Sequence, residues 1–307
     1  MRTRAQERRN GKGTTILYVV LRLLVVAILI RGIFLREWNA VFFCALTLVL
    51  FMLPSIVERR LKIDLPSGLE IIVLLFIFAA EILGELGAFY LKVSIWDLIL
   101  HTTNGFLMAA IGIALIDVLN NSPKINMSLS PFFVAFVAFC FSMTIGVLWE
   151  FTEFAADQFL GTDMQKDTML SSINSVDLNP AGVNTSVRID DITNTVIFGT
   201  QNGEKTETSL PGYLDIGLND TMEDMFVNLI GAVIFSIIGG IFIAGRGKGR
   251  GKVAGKFIPR MLTEEEIDEM EEEIKAQRLA IRRRFGSKRA NSAEKVASVD
   301  DNDSKTE

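Results

Sequence analysis

Six apolar runs of about 20 residues each, at 15–34, 38–57, 69–90, 95–118, 131–155 and 224–244, constrain this chain more than any other feature. A helix rising 1.5 Å per residue needs about 20 residues to cross a hydrocarbon core ~30 Å thick, and an ordinary soluble domain does not carry so many such runs. Of the 307 residues 50% are hydrophobic, and the excess lies in these blocks. The expected fold is an all-α polytopic membrane protein: six transmembrane helices, a small mixed helix/strand extracellular loop and a cytoplasmic C-terminal helix.

Basic residues set the orientation. Arg2, Arg4, Arg8, Arg9 and Lys12 precede the first run, Arg59, Arg60 and Lys62 follow the second, and Arg246, Lys248, Arg250, Lys252 and Lys256 follow the last. By the positive-inside rule all three sites are cytoplasmic, so both termini face inward and the protein is a multi-pass protein of the cell membrane. The organisation that results is a basic N-terminus at 1–14, helices one to five over 15–155, an extracellular loop at 156–223 and helix six at 224–245. A basic linker and amphipathic helix at 246–286 and a disordered tail at 287–307 complete the chain. The bilayer is the one partner implied; no feature indicates nucleic acid, and the oligomeric state is not legible. Cys44 and Cys140 lie inside apolar runs, where thiols behave as small hydrophobes and no disulfide is expected.

The loop is rich in aspartate and poor in basic residues, which suits the external side. Asp163 to Val176 is expected to be a short helix; Val187–Ile189 and Val196–Phe198 alternate like strands, and Asn202-Gly203 signals a hairpin turn. In the tail, Thr263 and Glu266 have capping-box spacing, and Ile267, Met270, Ile274 and Ile281 form a short apolar seam, read as a solvated helix. Arg22, inside the first run, is expected to snorkel to the inner interface or pair with a buried carboxylate.

The residues most costly to explain are the acids within the runs. Glu150, Glu153 and Asp157 share one face of a helix, as do Asp97, His101 and Asn104, Glu81 and Glu85, and Asp220, Asp224 and Asn228. With the orientation above, runs three and five carry their acids late on the way out, and runs four and six carry theirs early on the way in. All four sets therefore fall at one depth, in the outer leaflet. A charge in mid-bilayer costs about 2.5–3.5 kcal/mol on insertion scales, so such a gathering requires compensation by protons, hydrogen bonds, a cation such as Arg31 or a metal ion. One imidazole among carboxylates suits Mn, Mg, Ca or Zn. The candidate cation ligands are Asp97, His101, Glu150, Glu153, Asp157, Asp224 and Asn228, with Glu81, Glu85, Asn104, Asp163, Asp167 and Asp220 in support. Trp38, Trp96 and Trp149 fall at outer helix ends, as an aromatic belt does.

Four functions remain open on these residues: a polar network that only positions helices, a divalent-cation site, ion or proton transfer, and a membrane-embedded metal-assisted hydrolase. The chain has one histidine. That excludes a phosphatase with one histidine as nucleophile and another as acid, and a His-Glu-x-x-His metalloprotease. No catalytic residue is assigned.

The pattern Trp96-Asp97-x-x-x-His101-x-x-x-Gly105, Trp149-Glu150-x-x-Glu153, Gly161-Thr162-Asp163 with Asp167-Thr168, and Asp220-Thr221-x-x-Asp224-x-x-x-Asn228-x-x-Gly231-Ala232 resembles the YjdF-like bacterial family of uncharacterised membrane-spanning proteins. It is similar at greater distance to the VanZ-like family. The first resemblance covers roughly residues 15–245 and implies a multi-helix membrane bundle without an established activity. The second implies a cell-envelope role, and the long loop before the last run departs from its compact pattern.

Overall fold

The computed structural model of the chain describes residues 12–120, 129–245, 259–276 and 279. The basic N-terminal stretch, the turn at 121–128, the basic cluster after the last long helix, the seam residue Ile281 and the 287–307 tail lie outside the described residues. Among the described residues the chain is mostly helical, and five helices are long and apolar enough to cross a membrane: Gly13–Leu35, Trp38–Arg60, Trp96–Ile116, Pro131–Leu160 and Leu218–Ala244. It divides into two compact units, residues 1–88 with 251–307, and residues 89–250.

The first unit begins with α1 (Lys12–Leu35), α2 (Trp38–Leu50) and α3 (Leu53–Leu61). The run expected as one helix over 38–57 lies within the single candidate span Trp38–Arg60, with a local break in its helical hydrogen bonding at Phe51 and Met52 between α2 and α3. Pro54 explains the break, because its ring lacks an N–H and would clash with the carbonyl of Leu50, where α2 ends; within α3 it occupies the first turn, where proline is tolerated. A two-residue strand, β1 (Ile63–Asp64), leads into α4 (Ser67–Phe78), which continues as a π-helical segment over Ala79–Leu86 carrying Glu81 and Glu85. Leu21, Val25, Cys44, Phe51, Leu74, Ile77 and Ile82 form the buried core of this unit. Arg22 lies with its guanidinium 4.5 Å from the centre of the Tyr18 ring, a cation–π arrangement four residues back on its own helix. Arg31, expected to be available to the buried acids, instead pairs with Glu37 at 3.2 Å on an exposed turn.

The second unit holds a short helix, α5 (Phe89–Lys92), and three long ones, α6 (Trp96–Asn120), α7 (Pro131–Leu160) and α8 (Leu218–Ala244). Ser130 caps α7 by accepting the Phe133 N–H at 3.3 Å, with Pro131 in the first turn, and Gly161, at φ +66°, closes it. The three helices pack tightly because small residues face each other. A Cβ on Gly105 would overlap the Asn228 carbonyl, and one on Gly231 would overlap the Thr102 carbonyl, so α6 and α8 touch backbone to backbone. Outward-facing positions carry large exposed apolar side chains, among them Phe132, Phe136, Phe151 and Phe226, while His101, Glu150, Glu153, Asp224 and Asn228 are buried. Apolar outside and polar inside is the arrangement that a lipid solvent favours.

Between α7 and α8 the chain forms strands β2 (Met169–Leu170), β3 (Ile173–Ser175), β4 (Val187–Ile189), β5 (Thr195–Gln201), β6 (Glu204–Leu210) and β7 (Tyr213–Leu214), paired antiparallel as β2 with β7, β3 with β4 and β5 with β6. The β5–β6 hairpin turns at Asn202 and Gly203, both with positive φ, as a two-residue turn of this kind requires. The helix expected at 163–176 is absent and the segment is extended. Its backbone N–H groups are taken by carboxylates: Met164 and Gln165 donate to Asp157, Lys166 to Asp220 and Thr168 to Asp215. Side-chain acceptors from outside the segment have taken the N–H groups that a helical ladder would use.

Strand β8 (Arg260–Met261) belongs to the first unit and pairs antiparallel with β1, an interaction extended by the Leu262 N–H donating to the Lys62 carbonyl. The helix that follows, over 264–276, opens with a capping box in which Thr263 N–H donates to Glu266 at 2.9 Å and Glu266 N–H donates to the Thr263 hydroxyl at 3.3 Å. The sequence predicts a solvated helix, but the helix is partly packed: Met270 is buried and Glu271 meets Lys62 at 3.0 Å.

Candidate functional site

The three helices of the second unit bring their acidic ends together at the end nearest the extramembrane loop. α6 contributes Asp97 and His101 from its first two turns, α7 contributes Glu150 and Glu153 from its second half, and α8 contributes Asp220 and Asp224 from its start. α8 begins at Leu218, earlier than the apolar run suggested, so these two acids are helical. His101 stands at the centre. Its Nδ1 lies 3.6 Å from Glu150 Oε1, and its Nε2 lies 3.6 Å from Asp97 Oδ1 and 3.7 Å from Asp224 Oδ2.

Two overlapping sets of ligand-type atoms result. One atom each from His101, Glu150, Glu153 and Asp224 falls within 4.8 Å of the others, and so does one atom each from Asp97, Asp220 and Asp224. Asp224 belongs to both and is fully buried. Among the described residues, neither oxygen of Glu150 and neither oxygen of Asp224 has a hydrogen-bond partner. Gln165 and Thr221 lie close enough to Glu150 to act on its charge, yet not at hydrogen-bonding geometry; Gln165 Nε2 donates to the Thr221 hydroxyl at 2.6 Å instead. Buried carboxylates without partners are expensive, so these four oxygens are the unsettled point of the site.

The remaining candidates divide by what they touch. Glu153 accepts the Trp149 indole N–H at 2.9 Å, which leaves its other oxygen for the cluster. Asn228 lies one turn deeper and accepts from Asn104 at 3.2 Å, while its own amide points to the Met143 sulfur at 3.6 Å; this pair ties α6, α7 and α8 below the acids. Asp157 is turned to the loop, accepting from the Thr162 hydroxyl and the Met164 and Gln165 N–H groups. Asp163 pairs with Lys166 at 3.1 Å, and Asp167 is exposed. Glu81 and Glu85 are on the other unit.

Asp157, Asp215 and Asp220 together hold residues 162–168 as a strap across this end of the bundle. Burial disfavours the charge on Asp215, but the Thr168 and Asn219 N–H groups, the Asn219 side-chain amide and the Gly217 N–H outweigh it and hold its carboxyl below the usual range. Asp167, although exposed, is pushed the other way by partial desolvation at the strap and then by the like charges of Asp163, Asp215 and Asp157. Gly217, at φ +82°, sits against Gln165 with no space for a side chain, so the strap and the start of α8 are in direct contact.

Residues 16–245 match the family described as "Predicted membrane protein (DUF2238)". The chain belongs to that family. The match agrees with the YjdF-like resemblance of the Trp96–Gly105, Trp149–Glu153 and Asp220–Ala232 segments, and it spans every residue of the cluster; no comparison shows the VanZ-like similarity. No curated protein and no solved structure matches the chain. For DUF2238 the description supplies a membrane location and no activity.

Sequence reasoning overlooked Trp149, treated as a belt residue although it lies four residues before Glu153 and therefore beside it. It also overlooked the strap, whose Gln165 and Lys166 carry no motif. A groove of about 450 Å³ runs along the opposite half of α7 and α8 between Phe132, Phe136, Ile237 and Ile241; it is apolar and apart from the acids.

Proposed function

We propose that this member of DUF2238 is a six-span membrane protein with both termini cytoplasmic, and that its three-helix unit binds a divalent cation at the outward end, beneath the 162–168 strap. The sixth span is α4 with its π-helical continuation, together about 20 residues and so long enough to cross. Basic residues at 1–12, 59–62 and 246–256 against an acidic 158–220 loop support the orientation.

The observation that carries the cation reading is the pair of buried carboxylates, Glu150 and Asp224, whose four oxygens lack hydrogen-bond partners among the described residues while one oxygen of each approaches a nitrogen of the same imidazole. A network that served only to position helices would satisfy its own members, as Asn104 and Asn228 do here, because a half-satisfied buried network costs more than an apolar contact. A cation supplies what is missing. His101, Glu150, Glu153 and Asp224 offer one nitrogen and three carboxylate oxygens, a donor set suited to Mn or Zn over Mg or Ca. His101 would ligate through one ring nitrogen and be oriented through the other, and Trp149 would fix Glu153. Transfer across the bilayer has less support, since beyond Asn104 and Asn228 the described parts of α6, α7 and α8 contain no carboxylate and no basic side chain until the opposite end.

Purified full-length protein tests this directly. A thermal-shift series with Mn, Mg, Ca and Zn should show stabilisation by mass action, largest for Mn or Zn, and elemental analysis should find bound metal. Absence of both effects for all four ions would return the cluster to a structural or protonated network.

A further inference from the structure

Asp224 is placed to serve two ions. Its two oxygens are buried and unpartnered, Oδ2 faces His101, and the residue is common to the mixed set His101–Glu150–Glu153–Asp224 and to the all-carboxylate set Asp97–Asp220–Asp224. A carboxylate with both oxygens free and a ligand group on either side is the usual bridge of a two-metal centre, where ions stand about 3.5–4 Å apart.

We propose that Asp224 bridges a second divalent cation, held by Asp97, Asp220 and Asp224, to the ion of the first set; this rests on the cation reading above. The donors of the second set are oxygen only and nearer the strap. Asp220 already accepts the Lys166 N–H through Oδ2, so it ligates through Oδ1 while staying anchored to the strap. Asp97 approaches His101 at 3.6 Å, and its side chain is 26% exposed, which gives the second ion its path to water. The Lys166 ammonium pairs with Asp163 at 3.1 Å and its charge also reaches Asp97 and Asp220, so it offsets part of the charge that the second ion would meet. The two positions therefore differ in kind: the inner takes a borderline ion through an imidazole, and the outer a hard ion such as Mn or Mg.

Manganese fits both donor sets and reports on their separation. Titration of the metal-free full chain with Mn2+, followed by calorimetry and electron paramagnetic resonance, should give two ions per chain and a spin-coupled signal. Asp97→Asn, which preserves shape and removes no hydrogen bond to the strap, should reduce this to one ion with an uncoupled six-line spectrum. Two ions without coupling in the wild type would overturn the bridge, and a single uncoupled ion would overturn the second position while leaving the first. No bound ion at all would overturn the cation reading itself. The wild-type titration decides between these outcomes even if the variant fails to fold.

Discussion

His101 Nδ1 lies 3.6 Å from Glu150 Oε1 across the interface of α6 and α7, joining two residues 49 positions apart in the sequence. Neither oxygen of Glu150 has a hydrogen-bond partner among the described residues, so the contact is a close approach without a hydrogen bond, and the proposed cation reading rests on it. Replacing Glu150 by Gln or His101 by Ala is therefore expected to abolish metal-dependent stabilisation. Loss of a residue that only orients a ligand typically costs 10–100-fold in affinity, and loss of a ligand should exceed about 100-fold. Calorimetry on folded variants measures it. Undiminished affinity in both would remove these residues from the site.

Trp149→Phe tests the orienting role of the indole. The substitution keeps the ring at the bilayer edge and removes the 2.9 Å hydrogen bond to Glu153. Metal affinity should fall by about 10-fold while the melting temperature of the metal-free protein changes little, since one hydrogen bond contributes about 1 kcal/mol net. An unchanged affinity would assign Trp149 to the interface alone.

Gly105→Ala and Gly231→Ala should each destabilise the protein by about 1–3 kcal/mol or more, because the added methyl has only the backbone carbonyl of the facing helix to displace. Thermal unfolding in detergent is the measurement. Weakened cation binding should accompany it, since α6 and α8 carry His101 and Asp224. Full stability in both variants would mean that the helices pack elsewhere.

The strap should loosen in acid. Asp215 has a folded-state pKa below its ordinary value, so its contribution is complete above about pH 4, where the carboxyl ionises in an unfolded chain. It is lost as pH falls through the lower folded value. Asp215→Asn should give at neutral pH the loss of protection at Thr168 and Asn219 that the wild type shows only in acid, measured by hydrogen exchange. Exchange at those amides that ignores the substitution would refute the anchoring role.

Orientation is tested by labelling. With Cys44 and Cys140 replaced, single cysteines at Ser175 and Ala280 should be modified by an impermeant thiol reagent on intact cells only at Ser175. Labelling at Ala280 alone would reverse the topology.

The sequence by itself determined the solvent and the faces. Run length and basic flanks follow from bilayer thickness and surface charge, and the helical period alone puts Asp97 on the face of His101 and Glu150 on that of Glu153. Pro54 and the Asn202-Gly203 pair likewise act within their own segments, as did the Thr263–Glu266 cap. What the tertiary structure decided is which faces meet and which acid does what. Gly105 against Asn228 and Gly231 against Thr102 fix how closely and at what height α6 and α8 approach, and this sets His101 beside Asp224. The extended strap was hidden for the same reason: 163–176 has local helical character, but Asp157 near the end of α7, Asp220 at the start of α8 and Asp215 just before it supply acceptors that periodicity in the segment does not register. Spacing reports on neighbours along one element, whereas the division of these acids into strap anchors and cluster members depends on contacts between elements.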